Sequence, residues 1–333
     1  MKRRKWKQAL LPLSLLLCVL AVIASLCIGA IWFSPLQLVH LIRGAEADAS
    51  VYNIFWYSRL PRTVAALLAG AALSVSGAVL QNVLANKLAS PSIIGVNAGA
   101  GLGVTLACAA GMLSGWGISC AAFLGSLCTV LVISLFASHT GASRTTVILT
   151  GVALNSILSA ATESVTVLIP EVAALNTEFR MGGFSAVTYP RLIPAAVLIL
   201  TALAILLTLC NELDVVTLGD DVARGLGLRV GRWRILFLVL AALLAGSAVS
   251  FSGLLGFVGL MVPHFVRWIS GGESRRMLPL CAILGGAFVV LCDLAARQLF
   301  SPFELPVGIL MAVLGGPVFV LLLVRLKGGH HHD

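Results

Sequence analysis

The sequence predicts an all-α polytopic membrane protein of about ten transmembrane helices, and three observations carry that expectation. Of 333 residues, 59% are hydrophobic and only 11% charged, and the mean hydropathy is +1.04, a balance that no soluble domain keeps in water. Apolar stretches long enough to cross a hydrocarbon core of roughly 30 Å recur along the whole chain. Gly, Ala, Ser and Thr are mixed through the Leu and Val, which suits helices packing in lipid rather than barrel strands. Residues 1–333 therefore form a single transmembrane domain with little room for a soluble catalytic unit.

The expected spans are 10–33, 63–84, 91–111, 118–137, 145–169, 190–210, 235–252, 256–270, 277–296 and 305–325. The first follows a basic tail, residues 1–9, that opens "MKRRKWK". It is too long for the apolar region of a signal peptide, so it is expected to stay as a helix anchored in the cytoplasm. An even number of crossings returns the C-terminus to the cytoplasm. Six basic residues then face outside, namely Arg43, Arg59, Arg62, Arg180, Arg191 and Arg297, which leaves sixteen of the 22 inside. That excess obeys the positive-inside rule. It also leaves "FWYSRLPR", residues 55–62, with two arginines on the disfavoured side, where orientation alone does not explain them.

Two stretches break helical regularity, "LASPSIIGVNAGAGLG" at 88–103 and "SGLLGFVGLMVP" at 252–263. Short, glycine-interrupted segments in corresponding halves suit an inverted repeat lining a path across the membrane. Glycines that only let helices approach closely explain them equally well. The longest polar interval, 211–234, "NELDVVTLGDDVARGLGLRVGRWR", cannot span. Its charges and interleaved leucines suit short amphipathic helices on the cytoplasmic face, with Gly219 before Asp220 and Asp221 as a start and Gly225 and Gly227 as a stop. A solvated loop is the plainer alternative.

None of the five lysines follows a glycine, so the chain has no phosphate-cradling loop of its own, and ATP, if it drives anything here, is bound by another subunit. His264 in "VPHFVR" has no ligand partner in the pattern, the eight cysteines form no cluster, and no metal site is expected. No His, Asp, Glu or Ser constellation stands at catalytic spacing, which disfavours an intramembrane enzyme and leaves no catalytic residue to name. The ionisable residues within spans are Glu163 and Asp293. Each must face a cavity or a partner, and Arg297 lies four residues after Asp293 on the same helical face. Ser76, Gln81 and Asn82 on the second span, with Asn97 and Glu163, are candidates to line a pathway. The terminal "HHHD", 330–333, is either native or a tag remnant.

"RLPR", "GAALSVSGAVLQNVLANKLASPSIIGVNAGAG", "LGDDVARGLGLRV", "GLLGFVGLMVPHFVR", "LPLCAILGGAFVVLCDLAAR" and "ELPVGILMAVLGGPVFVLLL" resemble, in order and spacing, the FecCD-type permeases of ABC importers for iron-siderophores, haem and cobalamin. The similarity runs from about residue 50 to 326. It implies the type II ABC importer permease fold with both termini cytoplasmic in a bacterial cell membrane. It also implies a second permease copy, two ATPase subunits that bind the ATP, an extracytoplasmic solute-binding protein, a metal-chelate substrate and no nucleic acid. Iron-siderophore is the first expectation, with haem and cobalamin next.

By the same resemblance, Leu218, Gly219, Asp220, Asp221, Ala223, Arg224, Leu226 and Gly227 match the segment that couples to the ATPase. Gly141, Ala142 and Ser143 match the cytoplasmic gate. Arg59, Arg62 and Arg297 match arginines that meet acids on the binding protein, a role suited to a planar, permanently charged fork. The chain departs from the family at "NKLA", 86–89, where "NPLA" is common, and at "FRMGGFS" and "GGESRR", which weakens any substrate assignment. The alternative of another class is a stand-alone secondary transporter or channel, supported by the glycine echo between the halves.

Overall fold

The computed structural model describes residues 2–29, 31–43, 49–112, 114–140 and 144–328. In chain order the helices are α1 (Lys2–Cys27), α2 (Pro35–Ile42), α3 (Ala49–Asn53), α4 (Leu60–Val83), α5 (Val96–Ala109), α6 (Gly115–Thr140), α7 (Arg144–Leu168) and α8 (Val172–Met181). They continue as α9 (Tyr189–Thr208), α10 (Cys210–Thr217), α11 (Asp220–Gly225), α12 (Val230–Ser252), α13 (Val258–Ser270), α14 (Ser274–Gln298) and α15 (Val307–Gly328). No strand occurs among the described residues. Among the described residues, seven helices are long and apolar enough to cross a membrane: α1 from Ala9, the continuous helix Ala49–Val83, α6 to Phe136, α7, α9, α12 and α14. The remaining expected spans coincide with α5, α13 and α15, and α5 and α13 are too short to cross alone.

The bundle is built around α4 and α12, whose best apolar stretches are each 78% buried, against 17% for α7. α4 packs on α12, α13 and α14, while α5 packs on α6 and α1 lies along α14. Small residues make this possible. A Cβ on Gly77 would collide with the carbonyl of Gly259 in α13, and one on Gly99 with the carbonyl of Gly125 in α6, so backbones touch where lipid offers no hydrophobic drive to hold helices together.

The helix expected from residue 63 begins at 49, with a π-helical turn at Ile54–Arg59 between α3 and α4. Its π pairing stops at Pro61. In a π turn the carbonyl of residue 56 would accept from the N–H of residue 61, and proline has none. The phenol of Tyr189 donates to the Trp56 carbonyl instead, at 2.7 Å. The first helix, in turn, ends at Cys27 rather than 33, because Arg59 occupies the place where the next turn would go. Its guanidinium sits where a Cβ on Gly29 would point, and it donates to the carbonyls of Leu26 and Cys27 at 2.9 and 3.2 Å and to that of Ile31.

Both irregular stretches enter a short helix through a left-handed residue, Gly95 (φ 78°) before α5 and Phe257 (φ 65°) before α13. The echo between them is thus a local geometry shared by the two halves, and the glycines also serve close packing, since a Cβ on Gly259 would press on Pro91 of the other stretch.

Candidate functional site

At one end of the bundle the N-terminus of α4 meets the C-termini of α1 and α14. Asp293, fully buried, accepts from Arg62 Nε and Nη2 at 3.0 and 2.9 Å, and Arg297 Nε lies 3.1 Å from its other oxygen. Arg62 also reaches Glu304 at 2.8 Å. Arg297 donates to the Ser25 hydroxyl at 2.9 Å, and that hydroxyl shares a hydrogen bond with Thr63. Arg59 stacks on the Phe33 ring, 4.2 Å from its centroid. The pairing of Asp293 with Arg297 expected from their spacing is present. The partner that sequence spacing did not reveal is Arg62, 231 positions away.

The three arginines thus come together at one end, but not as open forks. Arg59 and Arg297 are buried; Arg59 donates to carbonyls, and Arg297 donates to Ser25 and forms an ion pair with Asp293 that leaves its Nε without a hydrogen bond. Arg59 and Arg297 are thus held within the single chain, as a buried cation must be satisfied internally or lose several kcal/mol. Only Arg62 reaches an opening. It lines a cavity of about 350 Å³ together with Glu178, Arg191, Glu304, Ser119 and Ser250, at the junction of α5, α6, α12 and the α8–α9 connection.

At the opposite end a second network closes α4 against α13 and α14. Arg267 donates to the side-chain carbonyls of Gln81 and Asn82 at 3.0 Å each, Gln81 donates to the Gly259 carbonyl at 3.2 Å, and Asn82 to Ser274 at 3.3 Å. Ser76 donates to the Ala241 carbonyl at 2.7 Å. Ser76, Gln81 and Asn82 are buried within the single chain: buried polar groups pair with one another, and here they staple α4 to its neighbours. Two amides on α4 facing an arginine that lacks an acid were the sequence signal for this network. Asn97 is half-buried on α5, and Glu163 stands on the exposed face of α7. Gly141, Ala142 and Ser143 lie outside the described residues.

Residues 210–228 form the short helices expected there. Gly219 precedes α11, and Gly227 (φ 83°) follows its end. Asp220 is clamped by Arg234 at 2.7 and 2.9 Å and by Arg144 at 2.9 Å, and Arg144 also holds the Val216 carbonyl. Partial burial pushes the Asp220 carboxyl up, but the hydrogen bonds and charges of Arg234 and Arg144 outweigh it and hold the group below the ordinary carboxylate range. Asp214 accepts from the Ser274 N–H and fixes α10 to the start of α14. Ala223 is buried, while Leu218, Val222 and Leu226 are 60%, 52% and 62% exposed. Val222 and Leu226, four apart, share one face of α11 and its end, while Leu218 precedes the non-helical Gly219 (φ 110°). Asp221 and Arg224 form an exposed pair at 3.7 Å. Among the described residues no group of His, Cys, Asp and Glu is placed to hold a metal ion.

A many-helix membrane bundle with a cavity at one end and a clamped, amphipathic elbow outside the spans suits a transport permease, and the comparisons with known proteins give that class. The chain belongs to the FecCD transport family, whose model matches residues 16–325, and it is a multi-pass protein of the bacterial inner membrane. It is 36% identical over 338 residues to the vitamin B12 import system permease protein BtuC of Salmonella paratyphi A, covering 97% of each chain. With the BtuC permease of Klebsiella pneumoniae it shares 35% identity over 342 residues, covering 98% of this chain and 97% of that one. Its structure superposes with a TM-score of 0.86 and 31% identity on an inward-facing metal-chelate type ABC transporter, covering 96% of this chain and 99% of that one.

Proposed function

We propose that this permease imports a metal chelate as part of an ABC transporter, paired with a second copy of itself, driven by two ATPase subunits and fed by a solute-binding protein. The observation that carries the reading is the α10–α11 elbow, in which a clamped acid holds three exposed leucine and valine side chains outward on a segment too polar to enter the membrane. Exposed apolar residues on a rigid cytoplasmic element suit insertion into a cleft of another protein. The names of the relatives favour cobalamin over the iron-siderophore and haem chelates expected from the family at large.

Two further features support the assembly. Glu163 stands on a face of α7 shared with Leu149, Val152, Ser156 and Val167, and a carboxylate held against lipid costs at least about 2.5 kcal/mol. A second copy enclosing a wet path beside α7 removes that cost. At the other end, Arg62 stands in the wall of an open polar cavity, so it is the member of the arginine set that meets an acid of the binding protein, with Arg59 and Arg297 positioning the helix ends around it.

The test is reconstitution in vesicles with the ATPase and binding protein, followed by uptake of cyanocobalamin and of a ferric siderophore in separate arms. ATP-dependent accumulation of either chelate is expected. Uptake by this chain alone along an ion gradient would overturn the reading in favour of a secondary transporter.

A further inference from the structure

α1 and α13 both lie against α14 and, lacking an extensive contact with each other, leave a furrow between them. The furrow has a volume of about 630 Å³, and its walls include Leu17, Met261, His264, Phe265, Trp268 and Phe288. Its polar edge is at the C-terminal end of α13, where Trp268 is 77% exposed. The hydrogen bonds of Arg267 to Gln81 and Asn82 place the end of α4, and the Lys87 turn that follows it, at this same end.

The charges there are unbalanced. Arg267 has neutral amide acceptors and no acid, and exposed Lys87 has no ion pair among the described residues. Both cations lie close enough to act on His264 in the furrow wall. Of the acids at this end, Glu273 pairs with Arg276 and Asp214 accepts from the start of α14, while Glu212 on α10 has a buried oxygen without a hydrogen-bond partner.

We propose that the furrow seats an acyl chain of an anionic phospholipid whose phosphate rests on Lys87, with Trp268 at the glycerol level. An apolar trough ending in cations and an interfacial tryptophan matches an anionic head on an apolar tail. A helix of a second copy would leave the basic edge without a counter-charge, and a zwitterionic lipid would gain less from it. The inference is independent of the substrate and of the transport reading.

The intact permease, purified in detergent and offered equal amounts of phosphatidylglycerol and phosphatidylcholine of the same chain length, is examined by native mass spectrometry. Wild type is expected to retain phosphatidylglycerol at least about fivefold over phosphatidylcholine. Lys87→Glu should bring the two near parity without changing the melting temperature, because Lys87 is exposed. Met261→Trp, which fills the trough, should lower retention of both lipids. If Lys87→Glu proves unstable, Lys87→Gln gives the same comparison. Parity in wild type, an unchanged preference in the Lys87 variants, or cross-linking of Phe265→Cys to a second copy with loss of bound lipid would each overturn the proposal.

Discussion

Asp293 is the residue on which one end of the bundle depends. Its carboxylate is fully buried and faces Arg62 and Arg297 together, so Asp293→Asn leaves buried Arg297 with no carboxylate and Arg62 with Glu304 alone. Removing one partner of a buried ion pair costs about 3–5 kcal/mol, and a marked fall in melting temperature in detergent is expected. Asp293→Leu combined with Arg297→Met should recover part of that loss, since Arg62 keeps Glu304 and no fully buried charge is left without a partner. Asp220 behaves differently because it lies near water. Its pKa in the folded chain is below the unfolded value, so the clamp contributes fully above the ordinary carboxylate range and is lost only as the pH falls through the depressed value. Hydrogen exchange of residues 218–228 should therefore be flat in its protection between pH 5 and 8 for wild type, and Asp220→Asn should show faster exchange throughout. The sequence pointed to Asp293 as an acid in need of a partner but supplied only the nearer arginine. Spacing along one helix is legible in a sequence, whereas a pair 231 positions apart forms only through packing.

The helices themselves were largely legible, because apolar length is set by the bilayer and not by the neighbours. What the sequence could not give was how their ends are shaped. α1 stops early because Arg59 takes its carbonyls, and the π pairing of the aromatic segment before α4 stops at Pro61, which cannot donate, so Tyr189 caps the Trp56 carbonyl. Both depend on side chains from another element, Arg59 in one case and Tyr189 in the other. The glycine-rich stretches were ambiguous in sequence, and packing accounts for them in part. At Gly77 a methyl group would meet the Gly259 carbonyl, which is backbone and cannot swing away. Gly77→Ala is thus expected to push α13 from α4 and strain the Arg267–Gln81–Asn82 network beside it, at a cost of about 1–3 kcal/mol. Reduced yield and a lower melting temperature would check this, with Gly231→Ala, where the added methyl meets nothing within contact distance, as the control that should leave both unchanged.

At the scale of the whole molecule, the surfaces left unsatisfied by a single chain say where its partners belong, and the α11 elbow is the one most open to test. Leu218, Val222 and Leu226 project from a segment held in place by Asp220 with Arg144 and Arg234, so the apolar face is presented on a rigid base. Because those three side chains are exposed, Val222→Glu with Leu226→Glu should leave the melting temperature of the permease within about 0.5 kcal/mol of wild type, as surface changes do. In a docked complex the same changes place two carboxylates in a dry cleft, where unpaired charge costs several kcal/mol. Co-purification of the ATPase should accordingly fall tenfold or more, and ATP-dependent uptake with it. Replacing Asp221 and Arg224 by alanine tests a separate point. Their ion pair is exposed and contributes little to the fold, so a variant that still binds the ATPase but hydrolyses ATP without uptake would assign the pair to coupling and not to assembly. Wild-type uptake in both variants would mean that the elbow is merely a solvated loop, and the ATPase would then have to grip the permease elsewhere.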